Sequence, residues 1–459
     1  MTSRWKGWCA LTALSLALSG CQLVSSPVDL LRSPQISSIQ QERKQAVMQF
    51  MPATAKLTVP IHSKQSSAIV EADLDGDGKL ETVAFYKNEK NEYELGILIL
   101  QKKEDGWIKL GDLKGVGREL HYADFIDLTG DGVPEMVIGW AGGGDLSKDL
   151  SVYMVQQGKP QKLQSLKYDD LAADDLDGDG RTDLVLFQND RVKHASQALL
   201  YTIKNSELAL VQTLPLESYI NGFVQVKTGL ATAQQKGVFV EMSVGAHSSM
   251  TSLIVMDKGR LRDVFASDGK EDRTFAFKAY PTINEDINGD GIVEIDILKE
   301  PPDSEGYAMA FMPWIHEWNR WDGGNGLIPV YENYYDNSVG YRFDIPDRWR
   351  GRYTATKQDD KTDITTAFYT LGANGGKRFE LLSIVGVKAS AWSERQKQLA
   401  QAETDYEMVG ANNGFVIYAV LPKGEPEGSA EENKTFADLR LDKTELESLL
   451  RLHYMEYVR

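Results

Sequence analysis

Four nine-residue segments of this chain repeat one pattern: Asp73-Leu-Asp-Gly-Asp-Gly-Lys-Leu-Glu81, Asp127-Leu-Thr-Gly-Asp-Gly-Val-Pro-Glu135, Asp175-Leu-Asp-Gly-Asp-Gly-Arg-Thr-Asp183 and Asp286-Ile-Asn-Gly-Asp-Gly-Ile-Val-Glu294. Their first residues are 54, 48 and 111 positions apart. The last gap is about two periods, and near its middle Thr232 to Val240 (TAQQKGVFV) keeps only the sixth-position Gly237. With that degenerate copy the spacings become 54, 48, 57 and 54. Five repeats of about 53 residues predict units that cannot bury their own apolar faces and must stack on one another.

The loop itself has the chemistry of a hard-cation site. Oxygens at positions one, three and five converge on one ion, glycine at six permits a sharp turn, and position seven offers its backbone carbonyl. An EF-hand would need a glutamate at position twelve between two helices. Here position twelve is Ala84, Ile138, Leu186 and Ile297, and an acid stands instead at position nine: Glu81, Glu135, Asp183 and Glu294. Short β-rich runs follow each loop, among them Thr82-Val-Ala-Phe-Tyr86 and Leu184-Val-Leu-Phe187. The pattern predicts a calcium loop inside a β-hairpin.

That combination resembles the FG-GAP/VCBS-type repeats of β-propellers, including those of integrin α-subunits, over roughly Leu57 to Tyr335. The resemblance implies a mainly β fold, a propeller of about five blades or six, with up to four structural Ca2+ ions. Carried over by position, the side-chain ligands are Asp73, Asp75, Asp77 and Glu81; Asp127, Asp131 and Glu135; Asp175, Asp177, Asp179 and Asp183; Asp286, Asn288, Asp290 and Glu294. The carbonyl ligands are those of Lys79, Val133, Arg181 and Ile292. Thr129 departs from the pattern at position three and weakens the second loop, while the Thr232 copy has lost every acidic ligand. A sixth blade would draw on Ala55–Val70 and Gly326–Tyr335.

The N-terminus reads as a targeting segment. Arg4 and Lys6 precede the short apolar stretch Trp8 to Leu18, then Leu18-Ser19-Gly20-Cys21. This resembles the lipobox of bacterial lipoproteins, which implies a signal peptide over 1–20, an acylated Cys21 and a tether over 21–55. The protein is then expected to be exported and lipid-anchored to the bacterial cell membrane, facing outside the cytoplasm, with no spanning helix. The two cysteines are Cys9, lost with the signal, and Cys21, so neither a disulfide scaffold nor a cysteine-ligated zinc site is available. A net charge of −17, or −19 once Arg4 and Lys6 are removed, excludes nucleic acid as a partner.

After Asn337 the loops cease, and 338–459 reads as a small α+β domain. Its predicted elements include strands around Pro346, a helix over Ser390–Ala402, a loop from Gly424 to Asn433 and a final helix from Lys443 to Tyr454 capped by Asp442 and Glu445. The cluster Trp314, Trp318, Trp321, Tyr331, Tyr334 and Tyr335 is expected to pack the last repeat against this domain. His316-Glu317 lacks the second histidine of a zinc-protease helix, since Arg320 stands there, and Gly142 to Lys148 lacks the ending of a phosphate loop. No nucleophile–base pair is visible in the sequence. The expected role is a non-catalytic binding or scaffolding module for a protein or glycan. The alternatives are an envelope hydrolase with carboxylates in the propeller channel, or an accessory subunit of an envelope complex.

Overall fold

Runs such as Glu81–Asn88 (ETVAFYKN) and Ser248–Asp257 (SSMTSLIVMD) are apolar at consecutive positions, a pattern a strand adopts when both its faces are covered. The computed structural model describes residues 37–454 apart from 63–66, 143–147, 205–206, 267–275, 325 and 373–376. The signal segment and Cys21 lie outside the described residues.

The described residues are mainly β, arranged as successive antiparallel meanders in chain order. The first sheet runs through Glu81–Asn88, Glu94–Lys103 and Gly106–Val116, with its leading edge shared between Ala55–Leu57 and Ile69–Ala72. The second comprises Glu119–Ile126, Glu135–Ala141, Lys148–Gln156 and Lys159–Tyr168, and the third Asp170–Asp174, Asp183–Asp190, Ala195–Lys204 and Glu207–Pro215. The fourth is Ile220–Leu230, Lys236–Val244, Ser248–Asp257 and Arg260–Asp263, with Phe277–Lys278 also paired to its third strand. The fifth is Ile295–Lys299, Ile315–Trp321, Leu327–Asp336, Tyr341–Ile345 and Leu450–Leu452.

Burial follows strand position. Glu135–Ala141 is buried at every residue, whereas the fourth strand Gly106–Val116 has no buried residue and Lys159–Tyr168 has only Tyr168 buried. Inner strands are therefore covered on both faces and outer strands meet water. By compactness the chain divides into two units, Met1–Ala123 with Val155–Pro160, and Asp124–Met154 with Gln161–Arg459.

In the first unit, helix Ser38–Phe50 places Ala46 and Val47, with Met51 just beyond, against Ala84, Tyr86, Leu98 and Leu100 of the first sheet. The supposed tether over 21–55 is thus, from Ser38 onward, a packed helix followed by a strand. Its start is fixed by a capping box in which Ser37 and Gln40 satisfy each other's backbone N–H groups.

In the second unit, consecutive sheets stack face to face. Val185, Phe187 and Leu200 of the third sheet interdigitate with Val238, Val240 and Ile254 of the fourth, and the Gln212 amide bonds Leu261's backbone in both directions. On the fourth sheet's other face, Phe239 and Val255 meet Val293, Ile295 and Trp321. Ala55–Leu57 and Leu327–Asp336, offered as parts of a sixth blade, belong instead to the first and fifth sheets.

The boundary drawn at 337/338 falls inside the turn joining two paired strands, Leu327–Asp336 and Tyr341–Ile345. Asp336 Oδ1 closes that turn by accepting the N–H groups of Ser338 and Val339, both at 3.1 Å. The C-terminal sheet, in order Tyr353–Asp359, Asp363–Thr370, Glu380–Lys388, Phe415–Val420 and Glu407–Asn412, shares one core with the fifth: Ile315 and Tyr334 pack with Phe343, Trp349, Phe368 and Leu439. Helix Trp392–Gln401 lies where expected. The stretch read as a loop up to Asn433 turns helical at Ala430–Leu439, because Ser429 and Glu432 form a capping box. The final helix has the predicted Asp442–Glu445 box but stops at Leu449, where Leu450–Leu452 joins the fifth sheet.

Candidate metal loops

Each of the four motifs joins the first strand of a sheet, or the bridge Glu285–Glu294 that stands in its place in the fifth, to the second. The glycines at positions four and six all take left-handed backbone, from φ +73° at Gly76 to +89° at Gly291, which side-chain-bearing residues rarely adopt. That conformation turns successive N–H groups inward onto the first aspartate. Asp73 Oδ1 accepts from Gly76 at 2.8 Å and Oδ2 from Gly78 at 2.9 Å. Asp127, Asp175 and Asp286 repeat both bonds with Gly130 and Gly132, Gly178 and Gly180, and Gly289 and Gly291. The fifth-position carboxylate accepts the seventh-position N–H in every loop, from Lys79, Val133, Arg181 and Ile292.

The ninth-position acid closes the ring. Glu81, Glu135, Asp183 and Glu294 accept the second-position N–H of Leu74, Leu128, Leu176 and Ile287 at 2.9 to 3.1 Å. Glu81 also receives the Gln101 amide at 2.9 Å, a partner no motif discloses. Burial pushes Glu135 and Glu294 up to about 7 and Asp183 up to about 6, with neighbouring loop aspartates adding to the shift. Glu81 is raised for the same leading reason.

Three carboxylates gather at two of the loops. One oxygen each from Asp73, Asp75 and Glu81 lies within 4.8 Å of the others, and Asp175, Asp177 and Asp183 do the same. These are the loops with a carboxylate at each of positions one, three, five and nine. In the second loop Thr129 instead donates to Asp127 at 3.2 Å, and in the fourth motif the Asn288 amide donates to Glu294 at 3.3 Å. The degenerate loop is closed by the Thr232 hydroxyl, which accepts from Gln234 and Gln235.

Cations from neighbouring repeats, and one from the fifth sheet itself, reach these loops. Lys236, at the fifth position of the degenerate loop, pairs with Asp174 at 2.6 Å, beside the third loop. A Cβ placed on Gly130 would meet Arg181 Nε at 2.8 Å, so that side chain lies along the second loop, and Arg320 is 3.7 Å from Asp290. Only the Lys236 substitution has a sequence signal, a cation where the other copies carry aspartate.

The other candidates resolve into packing. Trp318, Trp321 and Tyr334 are buried, with their polar atoms bonded to Asn333, Gly324 and Thr366. His316 holds Asp296 Oδ2 at 2.6 Å. Glu317 and Glu332 are cross-strand partners, and burial raises Glu332. Glu317 is met by Lys299 and the Asn319 amide, and Glu332 by the Tyr353 hydroxyl and the Arg350 guanidinium. Both carboxylates are thus bonded to neighbouring side chains. The Gly142–Lys148 loop lies largely outside the described residues.

Comparison with models of known protein families finds no match, and neither does comparison with curated proteins. Among solved structures, the chain is similar to the β-propeller domain of the Trilobed protease from Pyrococcus furiosus, at 12% identity and TM-score 0.30, covering 72% of this chain and 96% of that one. It is also similar to a rhamnogalacturonan lyase from Bacillus licheniformis (15% identity, TM-score 0.33, 68% and 56% covered) and to TolB from Acinetobacter baumannii (8%, 0.25, 63% and 60%). Likeness at this level bears on neither mechanism nor ligand.

Proposed function

We propose that this chain is an exported, lipid-anchored envelope protein whose stacked sheets form a calcium-stabilised, five-bladed propeller serving as a non-catalytic binding or scaffolding module. The observation that carries the reading is the pair of three-carboxylate clusters, at Asp73–Asp75–Glu81 and Asp175–Asp177–Asp183, each inside a loop that already turns its donors inward. An all-oxygen, highly charged donor set suits calcium and disfavours softer metals. Calcium would neutralise carboxylates that otherwise repel, and would tie the first strand of a sheet to its second. The lipid anchor rests on the Leu18-Ser19-Gly20-Cys21 sequence.

Thermal unfolding with calcium and with chelator tests the scaffold. The expected result is a higher melting temperature in calcium, reduced more by Asp175→Ala than by Asp127→Ala. Equal melting temperatures in the two conditions defeat the metal reading. Cys21→Ala, followed by fractionation and a high-salt wash, tests the anchor: release from the membrane fraction is expected, and continued sedimentation with membranes excludes it.

A further inference from the structure

The metal loops lie between first and second strands, so antiparallel geometry puts the second-to-third turns at the opposite end of each sheet. In the third and fourth sheets those turns follow Asp190 and Val244, and the segment 216–219 arrives there from the preceding strand. An open groove of about 370 Å3 lies at this end, lined by Tyr219, Val244, Met250 and Phe277 with the hydroxyl residues Ser218 and Ser248. Its volume falls in the ordinary range for small-ligand sites.

Tyr219 is the unusual member. Its backbone sits at φ +63°, a costly conformation for an aromatic residue, yet the residue is 71% exposed and so gains little from burial. Its ring is stacked on the His194 imidazole, with centroids 4.6 Å apart and planes 27° from parallel. Strain is thus spent on holding a flat aromatic face towards water, backed by a second ring. Phe277 is a further exposed aromatic, at 51%.

We propose that this groove binds an N-acetylhexosamine ring of a neutral glycan, the sugar's C–H face on Tyr219 and its acetamido methyl among Val244, Met250 and Phe277. The Ser218 and Ser248 hydroxyls match sugar hydroxyls. The chain's net charge of −17 disfavours anionic polymers. This assignment rests on the binding-module reading and names its ligand class.

Titration calorimetry of the full calcium-loaded chain with chitohexaose and with cellohexaose, which lacks acetamido groups, tests it. Saturable chitohexaose binding is expected, with cellohexaose at least tenfold weaker. Tyr219→Ala and Tyr219→Gly should each weaken chitohexaose binding at least tenfold, while Tyr219→Gly, freed of the strain, should melt no lower than the parent. The proposal is overturned by no saturable chitohexaose binding, by equal affinity for the two hexasaccharides, by unchanged affinity in Tyr219→Gly, or by a lower melting temperature for that variant. Melting the same samples with and without calcium separates the two claims. A calcium effect without hexasaccharide binding removes only the groove assignment, and hexasaccharide binding without a calcium effect removes only the metal scaffold.

Discussion

At the residue scale the ninth-position acid decides how each loop responds to pH. Burial holds Glu135 and Glu294 up to about 7, above the roughly 4.3 of a free glutamate. In metal-free protein the protonated forms suit the fold. Their contribution to stability is then complete below the free value and lost as pH rises through about 7. Calcium bound as proposed would reverse the preference, because it would compete with the proton for the same oxygens. We expect the melting-temperature difference between calcium and chelator to grow from about pH 5.5 to about pH 7.5. We also expect calcium binding near pH 6.5 to release protons, read by calorimetry in buffers of different ionisation enthalpy. A flat difference across that window removes these two acids from the ligand set. Glu135→Gln should raise stability in chelator at pH 7.5, since a neutral amide oxygen still accepts the Leu128 N–H without charge. The candidate ligand set was legible from spacing; the raised proton affinity was not, because it comes from burial in the folded chain, which spacing does not disclose.

At the element scale the fourth sheet has no metal motif but contains a fully buried ion pair. Lys278 Nζ meets Glu241 Oε2 at 2.8 Å, with neither side chain exposed, and Glu241 also accepts from Ser249 and Thr251. The two-residue strand Phe277–Lys278 exists to the extent that it places this ammonium against the third strand. Lys278→Met should cost about 3–5 kcal/mol in urea unfolding, by leaving a buried carboxylate unpaired. Adding Glu241→Gln should recover a large part of that loss; no recovery would mean that the methionine's packing, not the stranded charge, is at fault. The helix before the first sheet offers a smaller test. Ser37→Ala removes its cap and should cost about 1 kcal/mol. The Ser37–Gln40 signal stands in the sequence, but a capping box does not show what the helix it starts will pack against.

At the scale of the whole molecule, the C-terminal sheet shares its core with the fifth sheet, so 338–459 is not sealed off from what precedes it. A fragment beginning at Ser338 would lose Ile315 and Tyr334 from its hydrophobic cluster, and strand Tyr341–Ile345 would lose its partner Leu327–Asp336. We expect it to give no cooperative thermal transition by circular dichroism. A sharp transition would show that the remaining core suffices. Calcium should act on the same scale. At a free ion concentration ten times the dissociation constant, each occupied site adds about 1.4 kcal/mol. Two to four sites then contribute about 3–6 kcal/mol, against a typical domain stability of about 5–15 kcal/mol.

What the sequence by itself determined was local and periodic. The Asp-Gly loops need only neighbours within nine residues, since the turn is set by glycine backbone and by Asp73-type hydrogen bonds to it, and their recurrence about every 53 residues is read directly along the chain. Even the degenerate copy was legible, through Gly237 and the spacing. Contacts between distant segments were decided by the tertiary structure alone. Leu450–Leu452 joins the fifth sheet across more than 100 residues from its partner Tyr341–Ile345. Lys278 finds Glu241, and His194 backs Tyr219, for the same reason. A strand edge accepts any segment with free N–H and C=O groups, and a buried charge accepts any opposite charge within reach. Neither leaves a spacing in the chain that identifies its partner; stacking of the sheets does.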